Sequence, residues 1–185
     1  MWPHNGILVS DHPQLSSLVD WDLIATSDGG CALVFTDARD GSDLEARWNM
    51  LMAGLEGGMS IYMGLGPIHA LGHMFADSPI HHGALITASA PPVLRFYRSH
   101  ADDGLGEKLD RLTAAMGLAA GVDIANGIAD MNARLGLSPS VRELGYPDRD
   151  LDAMADYAAK VHFNATAPLR PTSADYRDII AEVLG

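Results

Sequence analysis

The sequence predicts an all-α fold, a multi-helix bundle, over residues 42–185. From residue 44 onward, apolar residues recur at helical spacing. Serine, threonine, aspartate and proline stand where helices are expected to begin, and glycine stands where several are expected to end. Strand-like runs do not alternate with helical ones, so a parallel sheet is not indicated.

Composition and charge narrow the range of partners. Of the 185 residues, 48% are hydrophobic and 19% are charged, and the net charge is -12. This composition is globular, and a phosphate backbone or an anionic bilayer would repel the charge. We therefore expect no nucleic acid and no membrane as a partner. A basic, apolar leader is not found, and Cys31 is the only cysteine, so we expect a cytoplasmic protein.

Residues 1–41 are the least regular part of the sequence. The apolar runs at 7–9 and 32–35 are flanked by turn formers, and the Asp-Gly-Gly at 28–30 indicates a turn. Each run fits a strand or a buried helical turn, because periodicity does not separate the two at this length. We therefore divide the chain into an uncertain N-terminal segment, 1–41, expected to pack on the bundle, and a helical domain, 42–185.

The helical domain is expected to contain eight helices. The first opens with a capping box from Ser42 to Glu45, and small residues along it predict a central helix covered on more than one side. The third contains Pro91 and Pro92, which predict a kink or a split. The short sixth helix would begin at Ser138. The expected spans are about 42–62, 67–78, 83–98, 105–120, 124–135, 138–145, 148–161 and 172–185.

Four of the eight histidines lie between residues 69 and 82. His69 and His73 are four residues apart on one predicted helix, so both imidazoles project from the same face. Two histidines at this spacing can present two nitrogens to a divalent metal, although the pair alone is more often incidental. His81 and His82 follow a short turn that could bring a third nitrogen. Imidazole suits zinc, iron, nickel and copper, so the ligand type does not name the metal.

The segment around these histidines resembles the signature of the iron-containing (group III) alcohol dehydrogenases. A Gly-Leu-Gly turn at 64–66, a His-x-x-x-His at 69–73, a His-Gly at 82–83 and a proline inside the next helix occur in the family's order. Further segments are similar to the helix before this signature, to a later short helix and to the approach to the last helix: 43–54, 141–145 and 168–172. The resemblance covers about residues 42–185.

The resemblance implies a fold, a site and a reaction. The fold would be the helical, metal-binding C-terminal domain of these dehydrogenases (dehydroquinate synthase-like), which normally follows an α/β domain that binds NAD(P). His69 and His82 would be metal ligands, and His73 would lie close to the reacting carbon and the nicotinamide. The stretch between His73 and His82 is one residue shorter than the family's, so His81 is an alternative ligand. The metal would be iron or zinc, and the substrate a small alcohol or aldehyde.

Two features of the family are not found in this sequence. One is the Asp-x-x-x-His helix that supplies two further metal ligands, and the other is the nucleotide-binding domain. We therefore expect an alcohol dehydrogenase-like oxidoreductase domain that is incomplete as an isolated chain. It would form a homo-oligomer or pair with a nucleotide-binding partner. The alternative is a non-catalytic helical remnant that acts as a weak metal-binding or protein-interaction module.

Overall fold

The computed structural model describes residues 42–119 and 121–185, and in these ranges it contains seven α-helices and no strand. The helices are α1 (Leu44–Ser60), α2 (Gly66–Met74), α3 (His82–His100), α4 (Asp103–Ala115), α5 (Ile124–Arg134), α6 (Leu151–Lys160) and α7 (Ser173–Leu184). Short 3-10 turns occupy Ile61–Met63, Phe75–Asp77 and His162–Thr166. The all-α prediction is confirmed. The expectations for residues 1–41 lie outside the described residues.

Four of the helices begin with side-chain caps of the expected chemistry. Asp102, Asp123 and Asp150 each accept a hydrogen bond from a backbone N–H in the first turn of α4, α5 and α6. Thr172 and Asp175 form the predicted capping box at the start of α7. The starts of α4 and α6 differ from the predicted starts by about two residues. Each of these helices begins directly after the aspartate whose side chain caps it.

The core lies where α2, α3, α6 and α7 meet. Helix α7 packs against α6 and α3, and α2 packs against α3, α6 and the turn at 162–166. The largest side chains without exposure come from three of these helices and from the turn after α2: Leu71, Phe75, Val93, Tyr176 and Ile180. No helix of the described part is long and apolar enough to cross a bilayer.

Helix α3 is one helix, not two, although Pro91 and Pro92 lie inside it. Pro91 has no N–H to donate to the carbonyl of Thr87, one turn earlier. The side-chain amide of Asn132, on α5, donates to that carbonyl instead, at 3.0 Å. Asn132 is buried, so a neighbouring helix replaces the lost backbone hydrogen bond away from solvent. Of the two predicted alternatives, the split is therefore wrong, and the kink stays a prediction.

Helix α1 forms as predicted, but the described residues do not place it at the centre of the bundle. Its apolar residues are exposed: Trp48 by 63% and Leu55 by 56%. A Cβ added at Gly54, Gly57 or Gly58 would meet nothing within 4 Å. The small residues therefore mark open space among the described residues, not the close approach of another backbone.

Residues 138–145 do not form the predicted helix. They form turns, and the N–H of buried Val141 donates to the carbonyl of Val183 in α7 at 3.0 Å. The hydroxyl of Ser140 accepts a hydrogen bond from the backbone N–H of Glu143, whereas the predicted helix start is at Ser138. Gly145 has φ +91° and ends the turns. The contact with α7 therefore replaces the helical hydrogen-bond pattern.

We predict that Asn132→Ala lowers the free energy of unfolding by about 1–3 kcal/mol, because the Thr87 carbonyl loses a buried partner. The measurement is urea unfolding followed by circular dichroism. Asn126→Ala, an exposed asparagine of the same helix, is the control and should change stability by less than about 0.5 kcal/mol.

A double-mutant cycle separates this hydrogen bond from the lost volume. Pro91→Ala restores a backbone N–H to the Thr87 carbonyl, so Asn132→Ala should cost less in that background. If Asn132→Ala lowers the free energy of unfolding equally with and without Pro91, the Asn132 side chain does not replace the missing backbone hydrogen bond, and the account is contradicted.

Candidate metal centre

Two glycines in left-handed conformations set the start of α2. Gly64 has φ +107° and Gly66 has φ +63°, values that few other residues adopt. A Cβ at Gly64 would overlap the side chain of Thr166. The turn before α2 is therefore packed directly against the turn at 162–166, and Pro67 then occupies the first turn of the helix.

The structure brings together His69 and His82. Their ring centroids are 5.6 Å apart, and the ring planes are tilted by 48°. His69 lies on the first half of α2, and His82 is the first residue of α3. The two histidines are thirteen positions apart in sequence, so the packing of α2 on α3, not helical spacing, makes them neighbours.

Gly72 makes this approach possible. A Cβ at that position would lie 2.7 Å from Cδ1 of Ile86 and 3.0 Å from Cε1 of His82. No other residue can occupy the site without moving one of these side chains. The absent side chain of Gly72 therefore provides the space in which the His82 ring lies against α2.

His69 is held in a form that suits a metal ligand. Desolvation by burial lowers its pKa below 6.5, a hydrogen bond to the Leu65 backbone raises it by less, and the charge of His82 lowers it further. The ring is therefore neutral at pH 7. A neutral imidazole has one nitrogen without a proton, and that nitrogen can bind a metal.

His73 is bonded to a different residue. Its Nδ1 lies 3.0 Å from the hydroxyl of Tyr157 on α6, and the two rings are stacked within 14° of parallel. Phe163 packs edge-on against both His69 and His73, with centroid distances of 6.4 and 6.0 Å. The pair that helical spacing placed together is thus divided, with His69 facing His82 and His73 facing Tyr157.

A buried hydrogen-bond network holds Phe163 in position. The amide of Asn164 donates to the carbonyls of Ala158 and Ala159, at the end of α6. Its oxygen accepts from the hydroxyl of Tyr176 at 2.6 Å, and burial raises the pKa of that phenol. Because Asn164 and Tyr176 are both buried, the turn that carries Phe163 is fixed to α6 and α7.

His81 has a structural role in the described part. Its side chain caps α3, because Nδ1 accepts a hydrogen bond from the N–H of Gly83 at 3.1 Å. This leaves only Nε2 for any other partner.

Asp77 is also engaged. It accepts from Tyr146 at 3.1 Å and forms an ion pair with Arg149 at 3.0 Å. Burial and this hydrogen bond raise the pKa of Tyr146. Within residues 42–119 and 121–185, no three histidine, cysteine, aspartate or glutamate side chains converge on one point.

Sequence reasoning missed Gly72, Tyr157 and Phe163. A glycine inside a helix, between two histidines, is a signal for close packing that could have identified Gly72. Tyr157 and Phe163 are 84 and 90 positions from His73 and have no local pattern, so only the tertiary structure reveals them.

The described residues form a helical domain in which the rings of His69 and His82 are neighbours, and comparison with known proteins identifies its family. The family model for the C-terminal part of the Fe-containing alcohol dehydrogenase family matches residues 34–184. The chain belongs to this family. The match begins at residue 34, inside the segment 1–41.

Two relatives illustrate the similarity. The chain is 35% identical to a 4-hydroxybutyrate dehydrogenase of Cupriavidus necator over 150 residues, 78% of this chain and 39% of that protein. It is 32% identical to a 1,3-propanediol dehydrogenase of Citrobacter freundii over 131 residues, 65% of this chain and 33% of that one. The chain thus spans well under half the length of these relatives.

Solved structures support the fold alone. A 1,3-propanediol oxidoreductase superposes with a TM-score of 0.71 at 24% identity, covering 80% of this chain and 40% of that chain. An alcohol dehydrogenase from Oenococcus oeni superposes with a TM-score of 0.67 at 23% identity, covering 79% and 40%.

We predict that Gly72→Ala lowers the free energy of unfolding by about 1–3 kcal/mol, because the new methyl group overpacks against Ile86 and His82. Gly106→Ala in α4 is the control, since a Cβ there meets nothing within 4 Å. It should raise stability by up to about 1 kcal/mol. Chemical denaturation of both variants is the measurement, and stabilisation by Gly72→Ala would contradict the close approach.

We predict that His69 titrates below pH 6.5 in an NMR pH series. Because the unfolded chain takes up this proton first, stability should be constant above about pH 6.5 and should fall as the pH drops below it. Phe163→Ala exposes the ring and should raise the His69 pKa. His82→Gln removes a charge but keeps the bulk, so it should leave the pKa below 6.5. If His82→Gln returned the pKa of His69 to 6.5, burial would not be the main cause of the lowered pKa.

Proposed function

We propose that this chain supplies one wall of the active site of an alcohol dehydrogenase, with His69 and His82 as two ligands of a divalent metal. The observation that carries the proposal is the 5.6 Å approach of these rings across the α2–α3 packing. The complete protein would interconvert a small alcohol and the corresponding aldehyde or ketone, with NAD(P) as hydride acceptor or donor. This is the chemistry of the family to which the chain belongs.

The donor set fits half of such a site. Imidazole nitrogens suit iron or zinc, and burial lowers the pKa of His69, so that this ring is neutral and able to bind a metal at pH 7. No carboxylate of the described residues joins them, so further ligands have to come from another part of the protein or from another chain. A divalent metal bound there would supply Lewis-acid polarisation of the substrate oxygen.

Between the two neighbouring histidines, His82 is the better candidate for the second ligand. Its ring lies beside His69, whereas Nδ1 of His81 caps α3. We therefore assign the metal to His69 and His82 and keep His81 as the alternative that the variants below test.

His73 would act on the substrate and not on the metal. Its Nδ1 is bonded to Tyr157, so Nε2 is the nitrogen left to exchange a proton or to orient a bound molecule. Phe163 packs edge-on against both rings. Because Tyr157 is half exposed, the bond from His73 leads toward solvent.

The names of the relatives suggest a substrate class. One relative is a dehydrogenase of 4-hydroxybutyrate and another of 1,3-propanediol. Both compounds are short primary alcohols with a second polar group at the far end. We propose a substrate of this kind, and a nucleotide-binding partner or a second copy of the chain as the source of the remaining site.

One observation favours the alternative function, a non-catalytic domain. Within the described ranges the site has two ring ligands and no converging third group, and two imidazoles alone bind metal weakly. In that case the chain would act as a metal-binding or interaction module.

We predict that the purified chain binds Zn²⁺ or Fe²⁺ at one site, measured by titration calorimetry and elemental analysis. His69→Ala or His82→Ala should each weaken binding about ten-fold or more, because each removes a ligand. His73→Ala and His81→Ala should leave the affinity within about two-fold.

His162→Ala is the matched control. This exposed histidine contacts Phe163 with the ring planes tilted by 49°, but it makes no ring contact with His69 or His82 among the described residues. Equal affinities of His69→Ala, His82→Ala and the control would contradict the proposed site. Loss of binding on His81→Ala with retention on His82→Ala would move the second ligand to His81.

A further inference from the structure

Helix α1 and the turn after it carry a concentration of exposed apolar side chains. Ten large hydrophobic residues are exposed in the described part, and eight of them lie between Leu44 and Met63. The eight are Leu44, Trp48, Leu51, Leu55, Met59, Ile61, Tyr62 and Met63. Monomeric proteins rarely leave a contiguous apolar surface of this extent uncovered, so this surface is expected to bind something.

The exposed residues of the helix itself form one stripe. At 100° per residue, Leu44, Trp48, Leu51, Leu55 and Met59 fall within a sector about 80° wide, close to the width of a buried helix face. The stripe runs the length of α1, about 25 Å. Gly57 lies on the opposite side of the helix and is also exposed.

We propose that residues 1–41 of the same chain cover this stripe. The segment ends directly before α1, so its apolar side chains are tethered to the surface at an effective concentration in the millimolar range. A second copy of the chain at micromolar concentration competes poorly with such a tether. The segment contains the apolar side chains that such a contact needs, at 7–9 and 32–35.

Charge does not drive this contact. The segment 1–41 contains six aspartates and one arginine. Asp43 stands directly before α1, and Glu45 lies in the first turn of this helix. The two surfaces therefore repel each other weakly, and the attraction is apolar. Salt should screen the repulsion and leave the contact intact or strengthen it.

Cys31 provides the test, because it is the only cysteine of the chain and lies in the segment. A second cysteine is introduced in the full-length chain, at Leu55→Cys on the stripe or at Gly57→Cys on the opposite side. Leu55 lies about 20 Å along α1, and the eleven residues from Cys31 to Ser42 span up to about 36–40 Å. Both introduced thiols are therefore equally within reach of the tether.

The expected result is intramolecular cross-linking by a short bifunctional maleimide about ten-fold faster for Leu55→Cys than for Gly57→Cys. Raising the salt concentration should not reduce this ratio. Trp48→Cys repeats the measurement at a second position on the stripe, and circular dichroism checks that each variant keeps its helix content.

Equal rates at the two positions would overturn the proposal, because they would reflect the tether alone. A second result would also overturn it. If Leu55→Cys in a Cys31→Ser background forms cross-linked dimers at micromolar concentration, a second copy covers the stripe. Faster cross-linking at Gly57→Cys would likewise contradict coverage by residues 1–41.

Discussion

The close packing of α2 on α3 at Gly72 is the contact on which the site depends. It allows the ring of His82 to lie against α2 beside His69, and the helices that carry these residues also form the buried centre of the bundle. Particular local features stabilise each of these two helices. Glycines in left-handed conformations start α2, and an asparagine from α5 satisfies the carbonyl that Pro91 leaves free in α3. The positions of His69 and His82 therefore depend on contacts throughout the helical core.

The same packing gives two similar histidines different environments. His69 is half-buried, neutral and next to His82, whereas His73 is exposed and bonded to Tyr157. Phe163 contacts both rings, and buried Asn164 and Tyr176 fix the turn that carries it. Under the proposed function, this arrangement would separate a group that binds a metal from one that orients a substrate or moves a proton.

Sequence reasoning predicted the parts that depend on local chemistry. The capping residues Thr172 and Asp175 identified the start of α7, and the ordered motifs from residue 64 onward indicated the family. It failed where tertiary contacts override local pattern. The helix predicted to begin at Ser138 does not form, and Val141 bonds to α7 instead. The alternative of a split at Pro91 is wrong, and Asn132 bonds to the carbonyl that Pro91 leaves without its usual partner. Helical spacing placed His69 and His73 on the same face of one helix. It does not show which neighbouring residues each ring contacts, so it did not separate their environments.

X-ray absorption spectroscopy of the chain loaded with one equivalent of Zn²⁺ tests the central claim most directly. It counts the imidazoles that coordinate the metal, and the spectrum of His73→Ala shows whether that residue is among them. Our account predicts two imidazoles from this chain and an unchanged count when His73 is replaced. A count of three that falls to two in His73→Ala would contradict the division between the two histidines, and the absence of imidazole ligands would contradict the site itself.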